Sequence, residues 1–220
     1  DARIRLLLSL SANLKVTDWL TLQARGNLDY SADKLRQKFY ASTATALCGM
    51  NGRYIEMDYQ ETQMYGDVMA MVKKQLNDFT LDVAIGGSIN DRITNSTRID
   101  SKNASLKYAN VFNLANIVMS SSASIDQKID AHYQLQSVFA TAQIGYKEGV
   151  FLDLTARNDW SSTLPKSNRS FFYPSVSVSA VMNELFLMPE PINLLKVRGS
   201  FAQVGNDTDP YKTSPYYGTS

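Results

Sequence analysis

The chain has 220 residues, of which 44% are hydrophobic and 20% charged, and its 22 Lys and Arg nearly balance its 21 Asp and Glu. This near-zero net charge, without a basic block, argues against nucleic acid as a partner. The longest apolar runs are only a few residues, as at residues 6–8, far shorter than the roughly 20 residues that a membrane-spanning helix needs, so no transmembrane helix is predicted.

Alternation of apolar and polar residues instead predicts eight β-strands, because a period of two places the two sets on opposite faces of a sheet. The first strand covers residues 3–15 and the second residues 19–32, joined by a turn at 16–18. Arg25 and Asp29 lie on the polar face of the second strand. A long polar stretch is expected after it.

The next two strands form a predicted hairpin. The third strand covers residues 59–75, and its segment 68–72 is apolar on both faces, with the even-numbered positions assigned to the apolar side of the sheet. A tight turn at 77–78 leads to the fourth strand, 79–92, with Asp82 on its polar face.

A Ser- and Asn-rich connection, 93–130, precedes a second predicted hairpin. Its strands cover residues 131–146 and 150–160, and the turn between them, 147–149, is short and contains Gly. The seventh and eighth strands follow at residues 172–182 and 195–201. The charged residues of the polar faces are predicted to line one common wall: Arg25, Asp29, Asp82, Asp153, Arg157, Asp159, Lys196 and Arg198.

Short and long connections alternate along most of the chain, which is typical of outer-membrane β-barrels with short periplasmic turns and long extracellular loops. Aromatic residues near both strand ends, such as Trp19 and Trp160, match the girdles of such barrels. A soluble β-sandwich also has alternating strands, so the alternation alone does not distinguish a membrane β-barrel from a soluble protein.

Three ordered segments in the last third of the chain narrow the choice. They are LTARNDWSSTLP, FFYPSVSVSAVMNE and LLKVRGSFAQVGND. In order and spacing they resemble motifs of the SusC/RagA-like TonB-dependent transporters of the Bacteroidetes outer membrane, specifically over residues 137–211 and more loosely over 1–136. Two departures are Val204, where the family usually has Thr, and residues 158–160, where it more often has Arg-Asp-Gly.

The resemblance implies an all-β fold, an antiparallel transmembrane β-barrel segment with about eight strands of a barrel of about 22. Residues 1–220 would belong to one barrel domain, without the plug domain. Because the chain begins at Asp1 without a Met or a signal segment, we expect a fragment. The intact protein would lie in outer membrane lipid, receive energy through TonB, pair with a SusD-like surface lipoprotein and import polar oligomers, glycans or peptides.

Two sets of residues are candidates for function. The charges of the wall would hold a plug domain through salt bridges or contact a polar solute. Aromatic and amide side chains of the long loops would stack on sugar rings or pack against a partner protein, and the two roles stay open. These loop candidates are Tyr108, Phe112, Asn113, Trp160 and Tyr211.

The sequence predicts no catalytic site, no cofactor and no metal. His132 is the single histidine and Cys48 the single cysteine, without the spacing of a zinc site or a catalytic triad, and no phosphate-binding glycine motif is present. Two alternatives to transport stay open: a small closed eight-stranded barrel that acts as an anchor or adhesin, and an outer-membrane barrel enzyme.

Overall fold

The computed structural model describes residues 1–102, 106–119, 124–186, 189, 191–205 and 207–208. Over these residues the chain is almost entirely β-structure. The strands are β1 (Ala2–Lys15), β2 (Leu20–Phe39), β3 (Arg53–Leu76), β4 (Phe79–Asp100), β5 (Ser124–Tyr146), β6 (Val150–Ser161), β7 (Ser170–Val181) and β8 (Lys196–Ala202). A single-turn helix, α1 (Met182–Leu185), follows β7, and a 3₁₀ turn (Leu114–Asn116) lies between β4 and β5.

All eight strands belong to one sheet in which each strand pairs with its neighbours in chain order. The sheet is antiparallel, as predicted, and β1 and β8 are its two outer strands among the described residues. None of the described helices is long and apolar enough to cross a membrane.

Several strands are longer than the sequence predicts. β2 continues to Phe39 rather than to residue 32, β3 begins at Arg53 rather than 59, β4 continues to Asp100 rather than 92, and β5 begins at Ser124 rather than 131. In these extensions polar residues also occur on the otherwise apolar side, so the apolar alternation is too short to predict a strand although the backbone pairing continues. Cross-strand pairs such as Arg36–Glu56 hold the extensions together.

The two predicted tight hairpins are confirmed. β3 and β4 are joined by Asn77 and Asp78 alone, and Asn77 adopts a positive φ of 53°, which Asn tolerates better than most residues. Between β5 and β6, Lys147 and Glu148 have φ values of 49° and 54°, and Gly149 N–H donates to Tyr146 O at 3.0 Å. Short turns of this kind align each strand directly against the next.

The chain forms two compact units. Unit 1 comprises residues 1–8, 28–63 and 92–132, and unit 2 comprises residues 9–27, 64–91 and the described residues from 133 onward. In unit 1 a small core lies between the connections: Tyr54, Leu106 and Ile117 are buried, and Ile99 and Phe112 pack against them. The connections of unit 1 are therefore folded structure.

Unit 2 has two chemically different faces. One face, here called the apolar face, exposes large aliphatic and aromatic side chains at alternate positions of its strands: Leu10, Leu14, Leu22, Val68, Ile85, Ile89, Val138, Leu154, Val176, Val178, Val197 and Phe201. The opposite face, here called the polar face, carries charged, amide and hydroxyl side chains. So much exposed apolar surface marks a contact with lipid or protein.

Candidate functional site

The polar face of β5 to β8 is aligned residue by residue in the sheet. Asp153 lies opposite Gln143 on β5 and Ser177 on β7, and Gln143 Nε2 donates to Asp153 Oδ1 at 2.6 Å. Ser179 lies opposite Arg198 of β8. The wall candidates on these strands lie on β6 and β8. Along each of the two strands they are spaced by an even number of residues, and the register across β7 places both sets on the same face of the sheet.

Arg157 and Asp159 form the most heavily bonded pair of this face. Arg157 Nε donates to Asp159 Oδ1 at 2.7 Å, and its Nη2 donates to Ser137 Oγ of β5 at 2.8 Å. The guanidinium also lies 5.9 Å from the ring centroid of Phe139, within cation–π range. Asp159 is 8% exposed. The pair therefore joins two strands as part of the wall.

Arg25 and Asp82, two further wall candidates, also have acidic or basic partners. Arg25 Nε lies 3.0 Å from Asp67 Oδ2, and the side chain of Asp67 is fully buried. Lys73 Nζ lies 3.7 Å from Asp82 Oδ2, a looser contact with both side chains well exposed. The sequence analysis did not identify Asp67, whose only signal is an acidic residue beside the apolar segment 68–72.

Lys196 and Arg198 differ from the other wall candidates. Both lie on the exposed strand β8, and neither makes an ion pair within the described part of the chain. The polar face of β5 to β8 thus combines the ion pair Arg157–Asp159 and the hydrogen-bonded Asp153 with two cations that have no ion-pair partner among the described residues. Such a surface presents many hydrogen-bonding groups without a strong field of one sign.

A buried hydroxyl and carboxylate cluster ends the polar face at the top of β6. Ser161 Oγ lies 2.8 Å from Thr163 Oγ1 and donates to Asp207 Oδ2 at 2.7 Å. Ser161 is 1% exposed and Thr163 is 7% exposed. These residues were not among the predicted candidates, although they belong to the Trp-Ser-Ser-Thr and Gly-Asn-Asp motifs that carry the family resemblance.

Asp29, the remaining wall candidate, lies in unit 1, where both oxygens of its carboxylate bind Arg5 at 3.0 and 2.6 Å. Deeper in unit 1, Arg53 binds both oxygens of Asp100 at 2.8 Å, and Arg98 Nη2 adds a bond at 2.9 Å. Asp100 is 1% exposed. Burial by itself raises the pKa of Asp100. The hydrogen bonds from Arg53 and from the Lys102 N–H, together with the charges of Arg53 and Arg98, have the larger opposite effect, so the pKa of Asp100 lies below its ordinary value.

A second carboxylate of unit 1 is tuned in the same way. Arg36 donates twice to Glu56 Oε1, at 3.1 and 2.9 Å, and Tyr54 Oη donates to Glu56 Oε2 at 2.9 Å. Burial raises the pKa of Glu56, and these hydrogen bonds with the Arg36 charge outweigh it, so the pKa lies below its ordinary value. These carboxylates stay ionised and act as cross-strand ties.

The connections of unit 1 contain three of the loop candidates. Phe112 is half-buried and packs edge-on against Tyr40, with ring centroids 5.1 Å apart. Asn113 caps the 3₁₀ turn, because its Oδ1 accepts the Asn116 N–H at 2.9 Å. Tyr108 is 72% exposed. Tyr108 and the exposed Asn113 are therefore open to a ligand or partner, whereas Phe112 is partly buried in the loop packing.

Trp160 and Tyr211 are the other two loop candidates. Trp160 lies within β6 rather than in a loop, opposite Gln136 of β5 and on the same side of the sheet as Leu154. Tyr211 lies outside the described residues. The Trp160 assignment to a loop was wrong because pairing with β5 and β7 continues to Ser161 and Trp160 respectively.

Metal and nucleophile chemistry have little basis in the described residues. They contain no group of three or more His, Cys, Asp or Glu side chains that could hold a metal ion. Cys48 is buried, and its thiol lies 3.6 Å from the carbonyl oxygens of Tyr40 and Thr43. The arrangement is suited to hydrogen bonding along a hydrated wall.

An antiparallel sheet with one apolar face and one ion-paired face has the architecture of a membrane β-barrel wall. Comparison with solved structures agrees with this class. The fold matches the RagAB peptide transporter (TM-score 0.65, 19% identity, 86% of this chain and 21% of that one). It also matches the RagAB peptide importer in the closed-closed state (TM-score 0.70, 19% identity, 93% and 23%) and in the open-open state (TM-score 0.65, 20% identity, 91% and 22%).

A curated relative gives the same result at the level of sequence. The chain is 34% identical over 84 residues to TonB-dependent receptor P26 of Formosa agariphila, which covers 37% of this chain and 8% of that protein. No protein-family model matches the chain. The predicted resemblance to SusC/RagA-like TonB-dependent transporters is confirmed, and the chain spans less than a quarter of the length of these relatives.

The matched proteins are named as a receptor and as transporters. These names describe transporters and a receptor, not enzymes.

Proposed function

We propose that residues 1–220 form part of the barrel wall of a TonB-dependent outer-membrane transporter that imports nutrient oligomers, glycans or peptides. The observation that carries the proposal is the eight-stranded antiparallel sheet with opposed apolar and polar faces, similar in fold to the RagAB peptide importer over 93% of the chain. In this assignment the apolar face contacts lipid and the polar face lines the lumen.

The tight turns give the proposed orientation. The turns at 16–19, 77–78 and 147–149 are short, whereas the connections on the opposite side, 40–52 and 101–123, are long. Outer-membrane barrels have short turns on the periplasmic side and long loops outside. We therefore assign the short turns to the periplasm and the long connections of unit 1 to the cell surface.

The polar face would hold a plug domain. Most of its charges are already neutralised by neighbours, as in Arg157–Asp159 and Arg25–Asp67, whereas Lys196 and Arg198 make no ion pair within the described residues. The two cations would bind acidic or carbonyl groups of the plug, or a polar solute on its path. Direct contact with solute would make them determinants of substrate choice.

The surface loops would contact a SusD-like lipoprotein. Unit 1 exposes Met50 (84%), Tyr108 (72%) and Met119 (63%) on connections that are themselves braced by hydrogen bonds. For example, Asn51 Nδ2 donates to Leu106 O at 2.6 Å. Exposed Met and Tyr side chains on an ordered support are typical of protein interfaces. The relatives named RagAB support a two-component assembly.

Gene deletion tests the transport assignment. A strain that lacks the full-length gene should fail to grow on a peptide mixture or on an oligosaccharide mixture as the limiting nutrient, and growth on the corresponding monomers should be unchanged. Loss on one mixture only identifies the substrate class. Unchanged growth on both, with loss of surface adhesion, would support the anchor or adhesin alternative instead.

Charge reversal in the wall tests the role of the polar face. In the full-length protein, Arg157→Glu places a second carboxylate beside Asp159 and removes the bond to Ser137, so we expect uptake to fall about tenfold while outer-membrane insertion is retained. Lys166→Glu, an exposed charge reversal in the loop after β6, is the matched control. Normal uptake and normal exclusion of large antibiotics in Arg157→Glu would contradict the assignment.

A further inference from the structure

The apolar face changes its chemistry near the end of β6. From the hairpin turn upward, the paired residues of β5 and β6 on this face are Ile144 and Leu152, Ala142 and Leu154, Ala140 and Ala156, Val138 and Asn158, and Gln136 and Trp160. The apolar side chains therefore give way to amide and indole groups about ten residues above the turn. A tilted membrane strand crosses the hydrocarbon layer in about 9–11 residues. Trp160 thus stands at the height of a headgroup layer, where Trp is enriched.

A cavity opens at this height beside Gln134, Gln136 and Trp160 of this face. It has a volume of about 320 Å³ and is lined by Gln134, Gln136, Trp160, Ser161, Ser162 and Arg169. The backbone around it is pinned in place, because Gln134 N–H donates to Ser162 Oγ at 2.8 Å and Ser162 N–H donates to Gln134 O at 2.9 Å. The cavity therefore has a defined shape.

The side chains of the cavity offer several hydrogen-bonding groups and one cation. Gln136 Nε2 donates to Gln134 Oε1 at 3.1 Å, and Gln134 Nε2 donates to Asp91 Oδ2 at 2.9 Å, which orients the two amides. Arg169 makes no ion pair within the described residues and is exposed. A guanidinium beside amides, hydroxyls and an indole suits a phosphorylated sugar, because guanidinium binds phosphate with two parallel hydrogen bonds and the indole packs on a sugar ring.

An apolar groove adjoins this cavity. It has a volume of about 600 Å³ and shares Gln136 and Trp160 with the cavity. The rest of its lining is mostly apolar, with Ala24, Gly66, Val68, Gly87, Ile89 and Val138 beside the ion pair Arg25–Asp67 and the serines Ser88 and Ser137. Gly66 and Gly87 leave the groove open, because an added Cβ would meet no atom closer than 3.8 Å at Gly66 and only Ser137 O at 3.4 Å at Gly87. The mostly apolar lining of the groove suits an acyl chain.

We propose that the cavity and the groove together bind a phosphorylated glycolipid of the outer leaflet, with its sugar phosphate at Arg169 and one acyl chain along Gly66 and Gly87. The inference rests on the proposed placement of this face in the outer membrane. A free phosphate or a soluble sugar would leave the apolar groove unoccupied, and an uncharged lipid would make no ion pair with Arg169. The continuity of the two sites through Gln136 and Trp160 therefore favours an anionic amphiphile.

Lipid titration of the purified full-length protein in detergent tests the proposal. The probe is lipid A with one phosphate, and its binding is followed by native mass spectrometry. Arg169→Ala should weaken binding about fivefold or more, because a charge-assisted contact is lost, and Arg169→Lys should restore part of it. Lys166→Ala, which removes an exposed charge from the same loop outside the cavity, should bind as the wild type does.

Two further arms separate the sources of the phosphate. Lipid A without phosphate should bind the wild type and Arg169→Ala equally, and millimolar inorganic phosphate should not displace lipid A. Equal lipid A binding by the wild type and Arg169→Ala, or displacement by inorganic phosphate, would overturn the proposal. Nutrient uptake by Arg169→Ala is measured in parallel, so that loss of lipid binding with normal uptake supports the site while leaving the transport assignment to its own test.

Discussion

Ser161 Oγ donates a 2.7 Å hydrogen bond to Asp207 Oδ2, across 46 residues of sequence. The bond joins the last residue of β6 to the segment after β8, and Thr163 Oγ1, in the loop after β6, lies 2.8 Å from the same hydroxyl. Two of the three motifs that carry the family resemblance thus meet at one buried cluster. Their residues act in the structure as a tie between neighbouring strand ends.

This tie predicts a local effect on the loop after β6. Asp207→Ala would remove the acceptor of the buried Ser161 hydroxyl, which in turn is hydrogen-bonded to Thr163, at a cost of about 1–3 kcal/mol. Hydrogen exchange of residues 161–169 in the full-length protein should therefore become about tenfold faster or more. Asp207→Asn keeps an acceptor oxygen, so its exchange rate should lie between those of the wild type and Asp207→Ala. Ser167→Ala removes an exposed hydroxyl of the same loop and should leave the exchange rate unchanged. Wild-type exchange in Asp207→Ala would show that the bond does not hold the loop.

Gly86 is predicted to be intolerant of any side chain. A Cβ at this position would lie 2.6 Å from Val68 O and 2.7 Å from Phe139 Cζ, so Gly86→Ala forces the β3 backbone to move. We expect a loss of about 1–3 kcal/mol, seen as a lower unfolding temperature of the full-length barrel in heat-dependent gel mobility. Gly26→Ala is the control, because an added Cβ there meets nothing within 4 Å. Adding Phe139→Ala should not rescue Gly86→Ala, since the closer contact is with backbone.

The connections of unit 1 are predicted to protect Cys48. Cys48 is 2% exposed, and its thiol lies 3.6 Å from the carbonyl oxygen of Tyr40. The ring of Tyr40 packs edge-on against Phe112. Phe112→Ala removes that packing and should raise the rate of maleimide labelling at Cys48 at least about tenfold, because thiol reactivity requires exposure. Tyr108→Ala removes a ring that is already 72% exposed and should leave the rate unchanged. Equal labelling of Cys48 in Phe112→Ala and the wild type would contradict a packed loop structure.

Unit 1 is predicted to lose stability in acid. The pKa of Asp100 in the folded protein is below the ordinary value of about 4, so unfolding takes up a proton just below that pH. Its stabilising contribution is therefore present above about pH 4 and lost as the pH falls through the lower, folded pKa. Glu56 acts in the same direction. Hydrogen-exchange protection of residues 40–52 and 106–119, corrected for intrinsic rates, should fall below about pH 4.

Asp100→Asn is the variant that isolates this carboxylate. It should cost about 3 kcal/mol at neutral pH, because two guanidinium groups lose their charged partner in a mostly buried site. The same variant should show a weaker loss of protection between neutral pH and pH 3. If the wild type and Asp100→Asn lost protection equally on acidification, other groups would control the acid response.

Much of the fold was readable from local sequence. Strict alternation, as from Leu152 to Arg157, places side chains on opposite faces whatever the partner strand is. The Asn77–Asp78 turn and the turn at 147–149 also depend on nearby residues alone. Class of fold, strand order through the tight hairpins and the division of faces therefore followed from the chain itself, and the ordered motifs added the family resemblance.

Tertiary structure decided the lengths of the strands and the partners of the charges. The extensions of β2 to β5 also carry polar residues on the otherwise apolar side, so the apolar alternation is too short to predict them, and cross-strand pairs such as Arg36–Glu56 exist only once the register is set. The pairs Arg25–Asp67 and Ser161–Asp207 also form only after the strands are in register, because their members are 42 and 46 residues apart in sequence. Alternation is a property of one strand, whereas pairing depends on the register of several strands at once.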